Sequence, residues 1–373
     1  MTRITYLNAR LFDGWDLHEP QPVSFEGGRR LPEADPGGGA TADLEGDILA
    51  PGFVDLQVNG GGGVLFNHDP SAATLQTIAR AHRRLGTAHL LPTLITDTPE
   101  VTRAAITAAR EACAARVPGI AGLHLEGPHL SVEKCGAHDP GLIRPMTEED
   151  LATLLAAARD LPCLKVTLAP ESVTEAQVAA LAEAGVYVAL GHSACDAETA
   201  RAYIRAGARG VTHLYNAMSQ LSARAPGLTG AALAEGVWAG LIADGVHVAP
   251  EAMRVALAAN PRIFLVSDAM AVAGTEAAEF TLNGRRILRA GGELRLEDGT
   301  LAGADLDLAR AVSVLMRACH APLPWALARA TRLPAEAAEL HVGAGRLRPG
   351  DAGRPIRLRQ GPEGLALVPL PVG

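Results

Sequence analysis

The chain is short of aromatic rings, of paired cysteines and of positive charge, and each shortage narrows what it can be. Aromatics make only 3% of its 373 residues, so the interior must be filled by Ala, Leu, Val and Gly. Such small side chains let helices lie close on a parallel sheet. The formal charge of −8 argues against general nucleic-acid binding, which needs a basic face. An anionic small molecule stays compatible, because a few local cations decide that. The five cysteines, Cys113, Cys135, Cys163, Cys195 and Cys319, are scattered, which points to neither a disulfide framework nor a zinc ribbon. No run approaches the ~18 uninterrupted apolar residues of a membrane span, and Met1 to Arg10 has no apolar stretch of signal-peptide type. The expectation is a soluble, cytoplasmic protein that binds neither membrane nor nucleic acid.

What is present is apolar material, at 48% of the residues, and a strict rhythm. The length suits a (β/α)8 barrel of roughly 250 residues with a small satellite. Arg3 to Leu11 reads as a strand and the Gly- and Pro-rich stretch 27–40 as a loop. From Phe53 short apolar runs alternate with helical stretches: 53–59, 88–94, 120–126, 164–169, 186–192, 210–214, 238–244 and 263–268. Eight continuous apolar strands alternating with helices predict a closed parallel barrel buried on both faces. The first helix should be capped by Asp69, with Pro70 in its first turn, Leu75, Ile78, Ala79, His82 and Leu85 on one face, and Gly86 as its stop. Another should start at Thr98-Pro99, and a third with a capping box from Thr147 to Asp150. After the eighth strand, 280–301 reads as hairpins turning at Asn283-Gly284 and Asp298-Gly299, followed by a helix over 304–318. The tail from Gly343 returns to short strands. The expected fold is an α/β (β/α)8 TIM barrel over 51–339, with a small β-sandwich domain formed by 1–50 and 340–373.

In such a barrel chemistry sits at the carboxyl ends of the strands. The third ends in Leu125-Glu126-Gly127-Pro128, the fifth in Gly191-His192-Ser193, the sixth in Thr212-His213-Leu214 and the eighth in Val266-Ser267-Asp268. Glu126, His192 and His213 make a three-ligand set for a catalytic divalent metal with one position left for water. Bound metal lowers the pKa of that water towards ~7 and polarises a scissile carbonyl. Asp268 is then placed to take the water's proton and return it to the leaving amine. His124 is read as pointing the other way, His82 and His89 as packing residues, and Lys165 as structural because it lies at the start of its strand. Cys195, one turn into the following helix, is not counted as a ligand. THLYNAM (212–218), Arg224-Ala225-Pro226-Gly227 and ADGVH (243–247) bring Asn216, Arg224 and His247 to the same rim. Arg and His there suit a phosphate or carboxylate.

Taken together, HLEGPH (124–129), the His192 segment GHS, THLYNAM, ADGVH, SDAM (267–270) and PGFVDLQVNG (51–60) resemble the N-acetylglucosamine-6-phosphate deacetylases of the amidohydrolase superfamily. The similarity runs in order from about residue 51 to 303. The resemblance implies the same metal ligands and Asp268 as general base and then acid. It implies that His138 polarises the acetyl carbonyl or holds the sugar, and that Ala137, Asn216 and Ala217 contact the substrate. Leu301, Ala302 and Gly303 would line the acetyl end through their backbone. Arg224 and His247 would hold the phosphate by reaching into a neighbouring subunit's site, which implies a homodimer.

Two departures from that pattern matter. Many relatives carry His-x-His after the first strand for a second metal, whereas this chain has Gln57-Val58-Asn59. One tightly held metal is expected, zinc first, with iron and manganese compatible with the donors. The tail segment from Gly350 to Pro355 lacks an acidic residue usual after the Ala, a change confined to the small domain. The competing readings are the N-acetylgalactosamine-6-phosphate deacetylase, which differs at one hydroxyl, an amidohydrolase acting on a cyclic amide, and an inactive barrel kept as a binding module.

Overall fold

All eight apolar runs are strands of one parallel sheet: β1 (Phe53–Val58), β2 (Thr87–Ile95), β3 (Leu123–Glu126), β4 (Leu164–Leu168), β5 (Tyr187–Leu190), β6 (Gly210–Val211), β7 (Trp238–Leu241) and β8 (Ile263–Leu265). They follow one another in sequence order around the sheet. Closure comes from a parallel bridge between Val58 and Ala269, with Asn59 N donating to Ala269 O at 2.9 Å and Asp268 N to Gln57 O at 3.1 Å. Every residue of β1 and of β2 is buried, as expected of parallel strands covered by helices outside and packed inside. The coordinates, a computed structural model, describe residues 3–341 and 343–371. Met1, Thr2, Val342, Val372 and Gly373, which fall in the two terminal spans, lie outside the described residues.

The helices begin where local chemistry allows. Thr98 accepts from Val101 N and caps Pro99–Ala114. Thr147 and Asp150 form a reciprocal capping box at the start of Glu148–Asp160. The first helix, Ala72–Arg84, is capped by Ser71 and not by Asp69. Asp69 instead accepts from the hydroxyls of Ser71 and Thr74 at 2.9 and 2.7 Å, so the two oxygen donors share one turn and the serine takes the backbone.

A three-stranded antiparallel sheet, Glu279–Leu282, Arg285–Ala290 and Glu293–Leu296, is inserted between β8 and its helix. Asn283-Gly284 turns it once with positive φ at both positions. The second turn is Gly291-Gly292, which the sequence reading missed, and Asp298-Gly299 turns the chain after the third strand. The following helix starts at Leu308, capped by Asp307, four residues later than expected. Helices Leu323–Ala330 and Arg332–Ala337 were not anticipated. They pack against β8 and β1.

Strands from both ends of the chain share a second sheet. Pro355–Gly361 pairs antiparallel with Ile48–Pro51, which neighbours Arg3–Leu11. Tyr6, Val23, Phe25, Leu44, Leu49 and Leu347 form a separate small core beneath it. The division at 1–50, 51–339 and 340–373 is our proposal, supported by the change of sheet between Ile48–Pro51 and β1.

The barrel interior under the mouth is polar, where branched apolar layers are usual. Thr93 Oγ1 meets His124 Nδ1 at 3.1 Å, His124 Nε2 meets Thr167 Oγ1 at 2.7 Å, and Thr167 Oγ1 meets Thr212 Oγ1 at 2.7 Å. His124 thus shares the inward face with Glu126, two residues on, which corrects the reading that it pointed elsewhere. The strand period of two requires this. Lys165 is fully buried, with Nζ 3.4 Å from Leu56 O, and burial lowers it to about 8. Burial also raises Asp55, at the same depth, to about 7.

Candidate active site

At the mouth, three of the four ionisable strand-end residues turn the chain with positive φ: His192 at 47°, His213 at 31° and Asp268 at 49°. Non-glycine residues rarely adopt this backbone, and it persists where surrounding structure enforces it. Here it swings each side chain off the strand and over the barrel axis. His192 Nε2 lies 3.2 Å and His213 Nε2 2.9 Å from Glu126 Oε1, and the two nitrogens are 3.1 Å apart. All three ligand atoms lie within 4.8 Å of one another.

The donor chemistry fits a divalent metal. Lys134 O, which can only accept, lies 2.8 Å from His192 Nδ1, so the proton of that ring sits on Nδ1 and the lone pair of Nε2 faces Glu126. Burial works against ionisation of Glu126, but the two imidazoles beside it, His192 and His213, hold it well below the usual carboxylate range. A buried carboxylate facing two imidazole nitrogens is a tripod for a cation.

Asp268 sits beside the tripod. Its Oδ1 accepts from Asn59 Nδ2 at 2.7 Å and from Gln57 Nε2 at 3.1 Å. Gln57 Nε2 also reaches Glu126 Oε1 and Oε2 at 3.3 and 3.1 Å. Burial first, then the charge of Glu126, raises Asp268 above the ordinary carboxyl value. That direction suits a group that must take and return a proton near neutrality.

A cavity of about 510 Å³ opens above these groups, within the range that holds a small metabolite. Ala137, His138, Asn216, Ala217, Leu301, Ala302 and Gly303 all line it. Burial, then the charge of His192, lowers His138 to about 3, so its ring is neutral. His247 also lines the cavity, oriented by Asp244, whose Oδ2 is 2.6 Å from its Nδ1. His247 therefore faces the cavity of its own chain, whereas the resemblance implied a reach into a neighbour's. Arg224 is exposed and does not line this cavity.

Several lining residues escaped the sequence reading. Lys134 lies on a single 3-10 turn without periodic signal. Arg295 and Leu282 arrive from the inserted sheet, which Arg285 pins to Ala137 O. Behind the lining, Thr96, bonded to His138, is the first residue beyond β2, the strand-end position already read on strands three, five, six and eight.

Comparison with known proteins places these features in company. Residues 48–353 match the model of the Amidohydrolase family. An N-acetylgalactosamine-6-phosphate deacetylase of Shewanella sp. (strain ANA-3) is 46% identical over 296 residues, 79% of this chain and 75% of that protein. An N-acetylglucosamine-6-phosphate deacetylase of Haemophilus influenzae is 36% identical over 301 residues, 80% of this chain and 78% of that protein. The crystal structure of the N-acetylglucosamine-6-phosphate deacetylase of Pasteurella multocida superposes with TM-score 0.91 at 32% identity, covering 95% of each chain. An Asp-to-Ala mutant of the Mycobacterium smegmatis enzyme in complex with N-acetyl-D-glucosamine-6-phosphate superposes with TM-score 0.87 at 29% identity, over 99% of this chain and 98% of that one.

Proposed function

Because the chain belongs to the amidohydrolase family, we propose that it hydrolyses N-acetylglucosamine 6-phosphate to glucosamine 6-phosphate and acetate. The observation that carries this reading is the mouth where Glu126, His192 and His213 converge beside a further carboxylate, Asp268, outside that triad. Relatives of matching sequence and fold act on N-acetylated sugar phosphates.

Glu126, His192 and His213 would hold a divalent ion, zinc in this reading and iron or manganese with the same donors, which would supply Lewis acidity and acidify water. Asp268 accepts the proton of the water whose oxygen bonds to the acetyl carbon. It then passes that proton to the nitrogen as the carbon–nitrogen bond breaks, so acetate and a free amine leave. His138, neutral and buried, donates to the carbonyl oxygen as charge builds there. Ala137 and the backbone of Leu301, Ala302 and Gly303 border the acetyl end, and Asn216 and Ala217 border the sugar. His247 holds the phosphate from within the chain and Arg224 of a second subunit holds it from outside, so the working unit is a homodimer. A cytoplasmic setting is supported by five cysteines that are all free.

The galacto epimer is a second reading, favoured by the 46% identity to an enzyme of that name. Acetate release from both 6-phosphorylated epimers, beside unphosphorylated N-acetylglucosamine, tests the proposal. Turnover that requires the phosphate and is faster with the gluco sugar is expected. Faster turnover of the galacto sugar would reassign the substrate while keeping the site.

A further inference from the structure

A histidine that donates to a carbonyl oxygen must carry its proton on the nitrogen that faces the substrate, and something must hold it in that form. We infer that Thr96 does this for His138. The inference rests on the deacetylase reading for its kinetic consequence, but the tautomer itself can be observed without any substrate.

Thr96 N donates to His138 Nδ1 at 3.3 Å. A backbone N–H can only donate, so Nδ1 accepts and carries no proton. A neutral imidazole has one proton, which must then be on Nε2. Thr96 Oγ1 lies 2.8 Å from the same Nδ1. With Nδ1 bare, the hydroxyl donates to it, and two donors from one residue aim at a single lone pair. The reverse arrangement, with a proton on Nδ1, would set N–H against N–H and present a lone pair where negative charge develops.

The surroundings hold Thr96 in place. It is 1% exposed. Asn67 clamps the chain on both sides of it, donating to Ile95 O at 3.1 Å and Asp97 Oδ2 at 2.9 Å and accepting from Ile95 N at 3.1 Å. Room for the hydroxyl depends on Gly127: a Cβ there would lie 2.3 Å from Thr96 Oγ1, and its φ of 89° suits glycine. The glycine of Glu126-Gly127-Pro128 thus serves the tautomer of His138 as well as the path of β3. Thr96 touches neither substrate nor tripod, which makes it a positioning residue.

The test is 15N NMR of the histidine side chains in the full-length protein, metal-loaded and metal-free, with His138 assigned by its loss in His138→Gln. An Nε2-protonated ring is expected in both forms, and an Nδ1-protonated ring would overturn the inference. Thr96→Val keeps the shape and removes the stronger donor. It should populate the other tautomer and lower kcat by about 10- to 100-fold, the usual effect of a lost orienting partner, with KM and metal content near the parent's. Thr96→Ser should restore both the NMR pattern and kcat. If Thr96→Val loses activity through lower metal content or Tm while its tautomer is unchanged, Thr96 is a packing residue and the inference fails. A positive tautomer result with no deacetylation of either sugar would reject the substrate alone.

Discussion

Asn59 Nδ2 donates to Asp268 Oδ1 across 2.7 Å, joining the exit of the first barrel strand to the exit of the eighth. The contact exists because the barrel closes there, through Val58 and Ala269. Sheet closure, the polar end of β1 and the acid/base group are therefore one arrangement. Gln57 extends it by donating to both Asp268 and Glu126, so one amide N–H edge bridges two carboxylates that repel each other.

Asp268→Asn removes a proton acceptor and leaves every tripod atom in place. Metal content should stay at the parent level while kcat falls by at least about 100-fold, the contribution expected of a general acid–base group. Single-turnover acetate release with metal analysis on the same sample checks this. Near-normal turnover would sink the assignment of Asp268.

The N–H edges of Gln57 and Asn59 point at the carboxylates where a second cation would have to sit. Amides are weak ligands beside imidazole, and here each turns an N–H, not its oxygen, towards the carboxylates. Elemental analysis should give one divalent metal per chain even after incubation with excess zinc or manganese. Removing that metal with a chelator should abolish turnover, and one equivalent should restore it. Two tightly held ions per chain would overturn this account of β1.

Much of this was legible in the residues and some could not have been. Eight apolar runs between capped helices define a barrel, and ionisable residues ending four of them mark a mouth, because both patterns are local. The cap of the first helix was misplaced because Asp69 and Ser71 stand two apart and only packing decides which oxygen meets the backbone. His124 was misjudged although the period of two puts it on the face of Glu126. Arg295 and Leu282 reach the cavity by way of an inserted sheet, and no local pattern says where such a sheet will fold back. The resemblance sends His247 to a neighbour, while its hydrogen bond with Asp244, three residues earlier, sets it against its own chain's cavity.

Arg224 is exposed and away from its own cavity, so its proposed phosphate contact needs a second subunit. Arg224→Ala should raise KM for the 6-phosphorylated sugar and leave kcat and metal content near the parent's. Mixing it with Asp268→Asn gives a sharper readout. In a mixed dimer one site joins an intact Asp268 to an intact Arg224 from the other subunit. Random exchange should thus recover about a quarter of parental activity from two poorly active samples. No recovery after verified exchange would place the phosphate contact elsewhere.

His82 gives the fold an acid sensitivity of calculable sign. Its ring is 2% exposed under the glycines after β1, its Nε2 lies 2.9 Å from Gly60 O, and burial lowers it from 6.5 to about 4. The unfolded ring takes a proton below pH 6.5 and the folded ring resists until about 4. Its contribution to stability is therefore complete above pH 6.5 and is lost as the pH falls towards 4, by about 3 kcal/mol in all. His82→Gln keeps a donor for Gly60 O and removes the titration. The variant should be less stable than the parent at pH 8, yet its stability should fall less steeply between pH 6.5 and 4. The difference in slope should approach one proton, about 1.4 kcal/mol per pH unit. Urea midpoints at half-unit steps measure it. Parallel curves through that window would mean that the folded protein protonates His82 as readily as the unfolded chain does, and that its burial costs the charged ring nothing.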